Sequence, residues 1–266
     1  MARISYEKRT CAKNKDVVLD SIYSSLAEYA NFSSIIMLSG KYPEHCVKRA
    51  IKYFSNMTRI VLYESDYPTY KYVSQSVIDK IRSDILKGRK FINIHNKNVL
   101  YADKLHSFQD LDFCSTFFAE KSRGWDNIKQ QHDPITIFQD RLFYQRRMRF
   151  PKWKAMVGTV SPRNGLGKDH TISCIDSLCQ LLGCTIVSVD GYSRTDTWSE
   201  AYGKGKKLKD SGTLHGNGGY YYAYKHSVEV EFHHPSPLDA VKEIIVELYT
   251  YTDTQPMVTF SILYKT

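Results

Sequence analysis

The sequence lacks a long hydrophobic run, because no stretch reaches the roughly 18 consecutive apolar residues that a membrane-spanning helix requires. Its basic N-terminus is followed by no apolar segment, so no secretory signal is predicted. None of its six cysteines forms a C-x-x-C pair, and the spacing of Cys174, Cys179 and Cys184 would fan the thiols around a helix. We therefore expect no membrane association, no metal site, reduced thiols and a cytoplasmic location.

The sequence also has too few acidic residues to balance its basic ones. Thirty-seven Lys and Arg residues face 28 Asp and Glu residues, which gives a net charge of +9. A chain this basic suits a polyanionic partner such as nucleic acid, although ordinary solubility is the alternative. The hydrophobic share of 42% and the charged share of 24% are typical of globular proteins and exclude a fully disordered chain.

The hydrophobic pattern alternates short buried strands with amphipathic helices. An N-terminal helix is predicted over residues 16–30, and five strands are predicted to begin near residues 34, 59, 90, 107 and 154. Two further strands, 242–253 and 257–264, predict a C-terminal hairpin, with a helix from Asp239 as the alternative for the first. This order predicts one α/β domain over residues 1–266, built on a mostly parallel sheet with helices on both faces.

A long insertion rich in glycine and lysine interrupts this pattern over about residues 190–236. Five glycines between residues 205 and 219 oppose a regular element over most of it. The segment is therefore predicted as a long mobile loop, flanked by a strand near 220–232.

Chemically informative residues follow the predicted strands. Gly40, after the first strand, permits a close backbone approach to a ligand. Glu64, 24 residues later, ends the second strand, and its carboxylate can accept hydrogen bonds from both hydroxyls of a vicinal diol. Asn98 and Val99 follow the third strand, and Asp112 lies at the end of the fourth.

This order of elements and residues resembles the class I Rossmann-like methyltransferases, which use S-adenosylmethionine as cofactor. In that family a seven-stranded sheet ends in a hairpin whose last strand inserts antiparallel into the sheet. The resemblance covers about residues 34–183 and 242–265 and implies the same sheet and the same cofactor here. A viral origin is kept open, in which case the expected location is the host cytoplasm.

The resemblance also implies roles for individual residues. Ser39 and Gly40 would approach the methionine part of the cofactor, and Glu64 would bind the ribose hydroxyls. Asn98 would read the adenine amino group, and Val99 would cover the ring. At the catalytic edge, Asp112 would accept a proton or hydrogen bond from the methyl acceptor, and Phe113 would stack on a base. The structural alternatives are a turn residue for Asn98 and a helix cap for Asp112.

Two basic segments are predicted to contact nucleic acid, with solvated charged faces as the alternative. The first, which we call the arginine segment, is interleaved with aromatic residues and comprises Arg141, Arg146, Arg147, Arg149, Lys152 and Lys154. Its candidate contacts are Arg146, Arg147, Arg149 and Lys152. The second, which we call the lysine segment, lies in the insertion and comprises Lys204, Lys206, Lys207 and Lys209.

Three functions are compatible with these patterns. The first is a methyltransferase that acts on RNA or DNA. The alternative is a non-catalytic nucleic-acid-binding or structural protein, of viral origin in one version, on the same scaffold. A nuclease that binds Mg²⁺ through Asp110, Asp112 and Glu120 is the third.

Overall fold

The computed structural model describes residues 12–86, 91–102, 106–113, 133–161, 168–193, 205–214, 219–233, 241–252 and 256–266. The helices are α1 Ala12–Tyr29, α2 Glu44–Tyr53, α3 Tyr67–Tyr72, α4 Ile78–Lys80, α5 Pro134–Arg146 and α6 Lys168–Gln180. π-helical turns Val73–Val77 and Ile81–Leu86 continue α3 and α4. The strands are β1 Ser34–Leu38, β2 Arg59–Tyr63, β3 Phe91–His95, β4 Phe108–Asp112, β5 Trp153–Val160, β6 Cys184–Val189, β7 Tyr192–Ser193, β8 Lys206–Lys207, β9 Thr213–Leu214, β10 Tyr220–Tyr221, β11 Tyr224–His226, β12 Val228–Phe232, β13 Glu243–Thr252 and β14 Pro256–Lys265.

The central sheet has the order β3-β2-β1-β4-β5-β14-β13-β11-β8. Its first five strands are parallel and follow the order of a Rossmann fold. β14 inserts antiparallel between β5 and β13, and residues 243–252 form a strand rather than the alternative helix. The Rossmann-like fold and the C-terminal antiparallel hairpin are therefore confirmed.

Helices cover both faces of the sheet, as predicted. Residues of β1 alternate, so Ile35 and Met37 pack toward α1, α2 and the α3–α4 segment, whereas Ile36 packs toward α5 and α6. Both sets are buried, which explains why the parallel strands read as continuous apolar runs. The predicted N-terminal helix is α1. No helix in the described ranges is both long and apolar enough to span a bilayer.

The strand predicted near 220–232 is present as the three short strands β10, β11 and β12, but the insertion also contains β7, β8 and β9 where a mobile loop was predicted. β11 and β8 extend the central sheet to nine strands instead of seven, and β12 pairs with β6 in a second sheet with β7. Gly205 permits this, because a Cβ there would lie 2.7 Å from the Lys225 carbonyl oxygen. Gly205 therefore lets β8 approach β11 closely, whereas the sequence analysis treated the glycines of this segment only as breaks in regular structure.

Candidate active site at the carboxyl edge of the sheet

The strand order reverses at β1, because β2 and β3 lie on one side of it and β4 and β5 lie on the other. β1 lies between β2 and β4, both parallel to it, and ligands of open α/β sheets bind at such a switch point. The Ser39 amide donates to the Tyr63 carbonyl (2.9 Å) and prolongs the β1–β2 pairing by one residue. Gly40 then turns the chain with a φ of +55° and has no heavy atom within 4 Å of where a Cβ would lie. Its backbone therefore faces open space.

Glu64 lies beside this turn. Its carboxylate accepts a hydrogen bond from the backbone amide of Asp66 (2.9 Å), and the nearby backbone amides of Ser65 and Gly40 also favour its charged form. Burial raises the pKa of Glu64 above its ordinary value, although these three amides oppose the shift. Two of the residues that the resemblance assigns to the cofactor, Gly40 and Glu64, thus lie close together at the ends of β1 and β2.

Asn98 and Val99 follow β3. The Asn98 side chain caps a short 3₁₀ turn over Val99–Tyr101 by accepting a hydrogen bond from the Leu100 amide (2.9 Å). Val99 is 1% exposed and packs in the core on the α5–α6 face. The turn role for Asn98 is therefore present in the structure, and the adenine contacts of both residues stay predictions.

Asp112 lies at the end of β4, where it forms an ion pair with Lys15 of α1. The Lys15 side chain is 9% exposed and that of Asp112 is 25% exposed, so this carboxylate is the more accessible partner. Phe113 is half-buried and meets Phe138 edge to face, with ring centroids 5.2 Å apart. No local pattern in the sequence indicates the role of Lys15, because this residue precedes Asp112 by 97 residues.

Asp110, two residues before Asp112 on β4, lies in the core beside other ionisable residues. The Tyr23 hydroxyl donates to Asp110 Oδ2 (2.7 Å), and Arg49 is held by Asp20 and Asp16 at 2.7 and 2.6 Å. Burial raises the pKa of Asp110 to about 6, and the neighbouring Asp112 charge adds to the rise while the Tyr23 hydrogen bond opposes it. The described residues contain no cluster suited to a metal ion, and Glu120 lies outside them.

Asn14 forms three hydrogen bonds that hold part of the insertion at the carboxyl edge of the sheet. Its amide donates to Thr213 Oγ1 (2.9 Å) and to the Tyr221 carbonyl (3.0 Å), and its oxygen accepts from the Gly212 amide (2.9 Å). The hairpin of β9 and β10 is therefore held by the residue that directly precedes Lys15. Sequence reasoning missed this contact, whose partners are about 200 residues apart.

The two basic segments lie at opposite edges of the sheet. The arginine segment joins the end of α5 to the start of β5, so it lies at the amino edge, away from Gly40, Glu64 and Asp112. There Arg146 donates to the Leu181 carbonyl, and the Arg147 guanidinium lies 4.1 Å from the centre of the Phe143 ring. Arg149 and Lys152 are exposed.

The lysine segment lies at the carboxyl edge. Lys207 of β8 pairs with Tyr224, and Tyr224 pairs with Thr250 near the carboxyl end of β13. Lys206, Lys207 and Lys209 are all exposed, and Lys204 lies outside the described residues. Of the two segments, this one shares an edge with the candidate site.

No family model matches the sequence, and no curated protein matches it. Similar solved structures include magnesium protoporphyrin IX methyltransferase from Synechocystis PCC 6803 with bound SAM, at 7% identity and a TM-score of 0.42 over 71% of this chain and 78% of that one. Precorrin-6y C5,15-methyltransferase from Geobacter metallireducens GS-15 is 8% identical, with a TM-score of 0.42 over 91% and 85% of the chains. The methyltransferase domain of bacterial CtHen1-CN is 9% identical, with a TM-score of 0.43 over 95% and 100%. The fold assignment rests on the strand order itself.

Proposed function

We propose that this chain is an S-adenosylmethionine-dependent methyltransferase that acts on nucleic acid in the cytoplasm. The observation that supports the proposal is that the adjacent parallel strands β2, β1 and β4 end at Glu64, Gly40 and Asp112 at the switch point of the sheet. A close-approach turn, a diol-binding carboxylate and a substrate-facing acid are the groups that the reaction needs, and they come from three separate strand ends.

The residues at this edge fit the cofactor. Gly40 leaves open space for the methionine part, and the Glu64 carboxylate stands beside it for the ribose hydroxyls. Ser39 precedes the turn, and the Asn98 oxygen has a second lone pair for an adenine amine. When bound, S-adenosylmethionine supplies a methyl group on a positively charged sulfonium.

The chain's own task is to orient the methyl acceptor and to take its proton. Asp112 accepts a hydrogen bond from the attacking oxygen or nitrogen, and its carboxylate receives the proton as that atom gains the methyl group. Lys15 holds this carboxylate from the α1 side and leaves its outer part accessible. Phe113, whose ring packs against Phe138, stacks on a base next to Asp112 in this proposal.

Nucleic acid is the proposed acceptor because positive charge accompanies the site. The lysine segment is exposed at the same edge, and the whole chain carries a net charge of +9. Such a surface attracts phosphates and concentrates a polyanion near Asp112.

The test is transfer of labelled methyl groups from S-adenosylmethionine to RNA and DNA oligonucleotides. We expect transfer by the native chain and a roughly 10²- to 10⁴-fold lower kcat for Asp112→Asn. The control is Glu243→Gln, a half-exposed acid at the start of β13 on the opposite edge, whose partner Lys265 is 3.7 Å away. Full activity of Asp112→Asn would remove Asp112 from the reaction, and no transfer to any oligonucleotide would favour the non-catalytic binding protein.

A further inference from the structure

The tyrosines of the insertion form an exposed aromatic surface that the methyl-transfer proposal does not use. Tyr220 lies in β10, and Tyr222 directly follows this strand. Their rings are nearly parallel, with centroids 6.2 Å apart and planes 17° apart, and Tyr220 is 62% exposed. A flat, accessible ring of this kind is a surface on which a base can stack.

Positive charge and tight packing accompany these rings. Lys207 Nζ lies 3.2 Å from the centre of the Tyr222 ring, a cation–π contact. Gly212 backs the same ring, because a Cβ there would lie 3.0 Å from Tyr222 Cε1. The half-buried Tyr222 is thus fixed between neighbours and can support Tyr220.

Asn14 and Lys15 connect this surface to the candidate active site. The fully buried Asn14 side chain makes three hydrogen bonds to the β9–β10 hairpin, and the next residue, Lys15, pairs with Asp112. Two consecutive residues of one helix therefore set the position of the tyrosines relative to the acid at the end of β4.

We propose that the β9–β10 hairpin and Tyr222 form a platform for single-stranded nucleic acid, which we call the tyrosine platform. An unpaired base stacks on the ring of Tyr220, and the side chains of Lys206 and Lys209 contact the adjoining phosphates. Asn14 is a positioning residue, which fixes the bound nucleotide relative to Asp112. This inference rests on the proposed function, since it names the form of the nucleic acid that the same site takes.

The chemistry of the platform favours a single strand over a duplex. Bases in a duplex are already stacked on their neighbours, so their faces are closed to a protein ring, whereas unpaired bases are free to stack on aromatic side chains. The exposed lysines add contacts that every sequence can make, because they bind the backbone.

The experiment measures fluorescence anisotropy of a labelled RNA of about 12 nucleotides, single-stranded or annealed to its complement, with the full-length chain. We expect the single strand to bind at least tenfold more tightly than the duplex. Tyr220→Ala should weaken single-strand binding about tenfold, while Tyr220→Phe, which keeps the ring, stays within about twofold of the native chain. Phe91→Ala, an exposed ring at the start of β3 on the amino edge, is the matched control and should change nothing.

Two further variants separate the parts of the platform. Lys206→Gln with Lys209→Gln should lower the slope of log affinity against log salt by about 1.4, the value for two phosphate contacts on a single strand. Asn14→Ala should leave single-strand affinity within about threefold but lower kcat about tenfold at unchanged affinity for S-adenosylhomocysteine. Asn14→Gln should restore kcat only in part, because the longer glutamine side chain keeps the amide but shifts the three hydrogen bonds.

The outcomes distinguish this inference from the proposed function. Equal affinity of Tyr220→Ala and the native chain, or equal binding of single strand and duplex, overturns the platform even when S-adenosylhomocysteine binds normally. Tyr220-dependent binding of single-stranded RNA in a chain that binds no S-adenosylhomocysteine supports the platform and overturns the methyltransferase. Absence of RNA binding at low salt overturns the platform as well, and binding of an acidic peptide instead would assign the surface to a protein partner.

Discussion

The two edges of the central sheet carry similar residue types but differ in what those residues contact. At the carboxyl edge, exposed lysines and tyrosines lie at the same edge of the sheet as the accessible carboxylate of Asp112. At the amino edge, Arg146 is bonded to the Leu181 carbonyl, and Lys154 is buried with Nζ 2.6 Å from Thr266 Oγ1. Basic composition therefore does not by itself mark a functional segment, because the topology decides which charges lie near the strand ends that form a site.

The difference is sharpest between two buried lysines, and it gives the largest expected effect. Lys15 at the carboxyl edge pairs with Asp112, whereas Lys154 at the amino edge forms no ion pair with any residue that the structure describes, and burial lowers its pKa. Lys15→Met should lower kcat for methyl transfer about 10²-fold, because Asp112 loses the group that orients it. Lys154→Met should leave kcat unchanged. Steady-state kinetics measures kcat for both variants. Equal kcat values for Lys15→Met and Lys154→Met would contradict the functional difference between the two edges.

The buried acid below Asp112 provides an effect on stability. The pKa of Asp110 is raised to about 6, so its contribution to folding stability is present at low pH and is lost as pH rises through about 6. Asp110→Asn removes this titration and keeps an acceptor for the Tyr23 hydroxyl. The variant should therefore gain up to about 3 kcal/mol relative to the native chain between pH 4 and pH 8. Urea unfolding at both pH values measures it, and a pH-independent difference would mean that Asp110 titrates normally.

The two basic segments give the smallest effect and the most direct comparison of the edges. Replacing Lys206, Lys207 and Lys209 by Gln should weaken single-stranded RNA binding about tenfold and lower the salt slope by about 2. The same change at Arg147, Arg149 and Lys152 should weaken it less than about twofold, because this segment lies at the opposite edge. Salt titrations of binding decide between them. Equal losses would show that both segments contact nucleic acid, as the sequence alone predicted.

Local patterns in the sequence predicted the elements but not the contacts between distant residues. Period-two and helical spacing located β1 to β5, α1 and the C-terminal hairpin, and with them the strand-end residues Gly40, Glu64 and Asp112. Two contacts were not predictable, because contacts between distant residues leave no periodic signal in the sequence. They are the ion pair of Lys15 with Asp112 and the hydrogen bonds of Asn14 to the β9–β10 hairpin.

Burial and close packing account for the remaining differences. Val99 follows β3 as predicted, but it is part of the core, which the spacing alone does not reveal. The strand β6 was missed because residues 184–189 alternate weakly and pair only with strands of the insertion. Glycines such as Gly205 were interpreted as breaks, although one of them lets β8 approach β11.

The methyltransferase proposal is tested most directly by isothermal titration calorimetry of the full chain with S-adenosylmethionine and S-adenosylhomocysteine. We expect saturable binding of both, at least tenfold weaker in Glu64→Ala and unchanged in the amino-edge control Glu243→Ala. Because burial raises the pKa of Glu64, the affinity should also fall on acidification at a pH above the ordinary range of a glutamate. Absence of binding at about 1 mM cofactor, or equal affinity in Glu64→Ala, would contradict the assignment of the carboxyl edge as a methyl-transfer site.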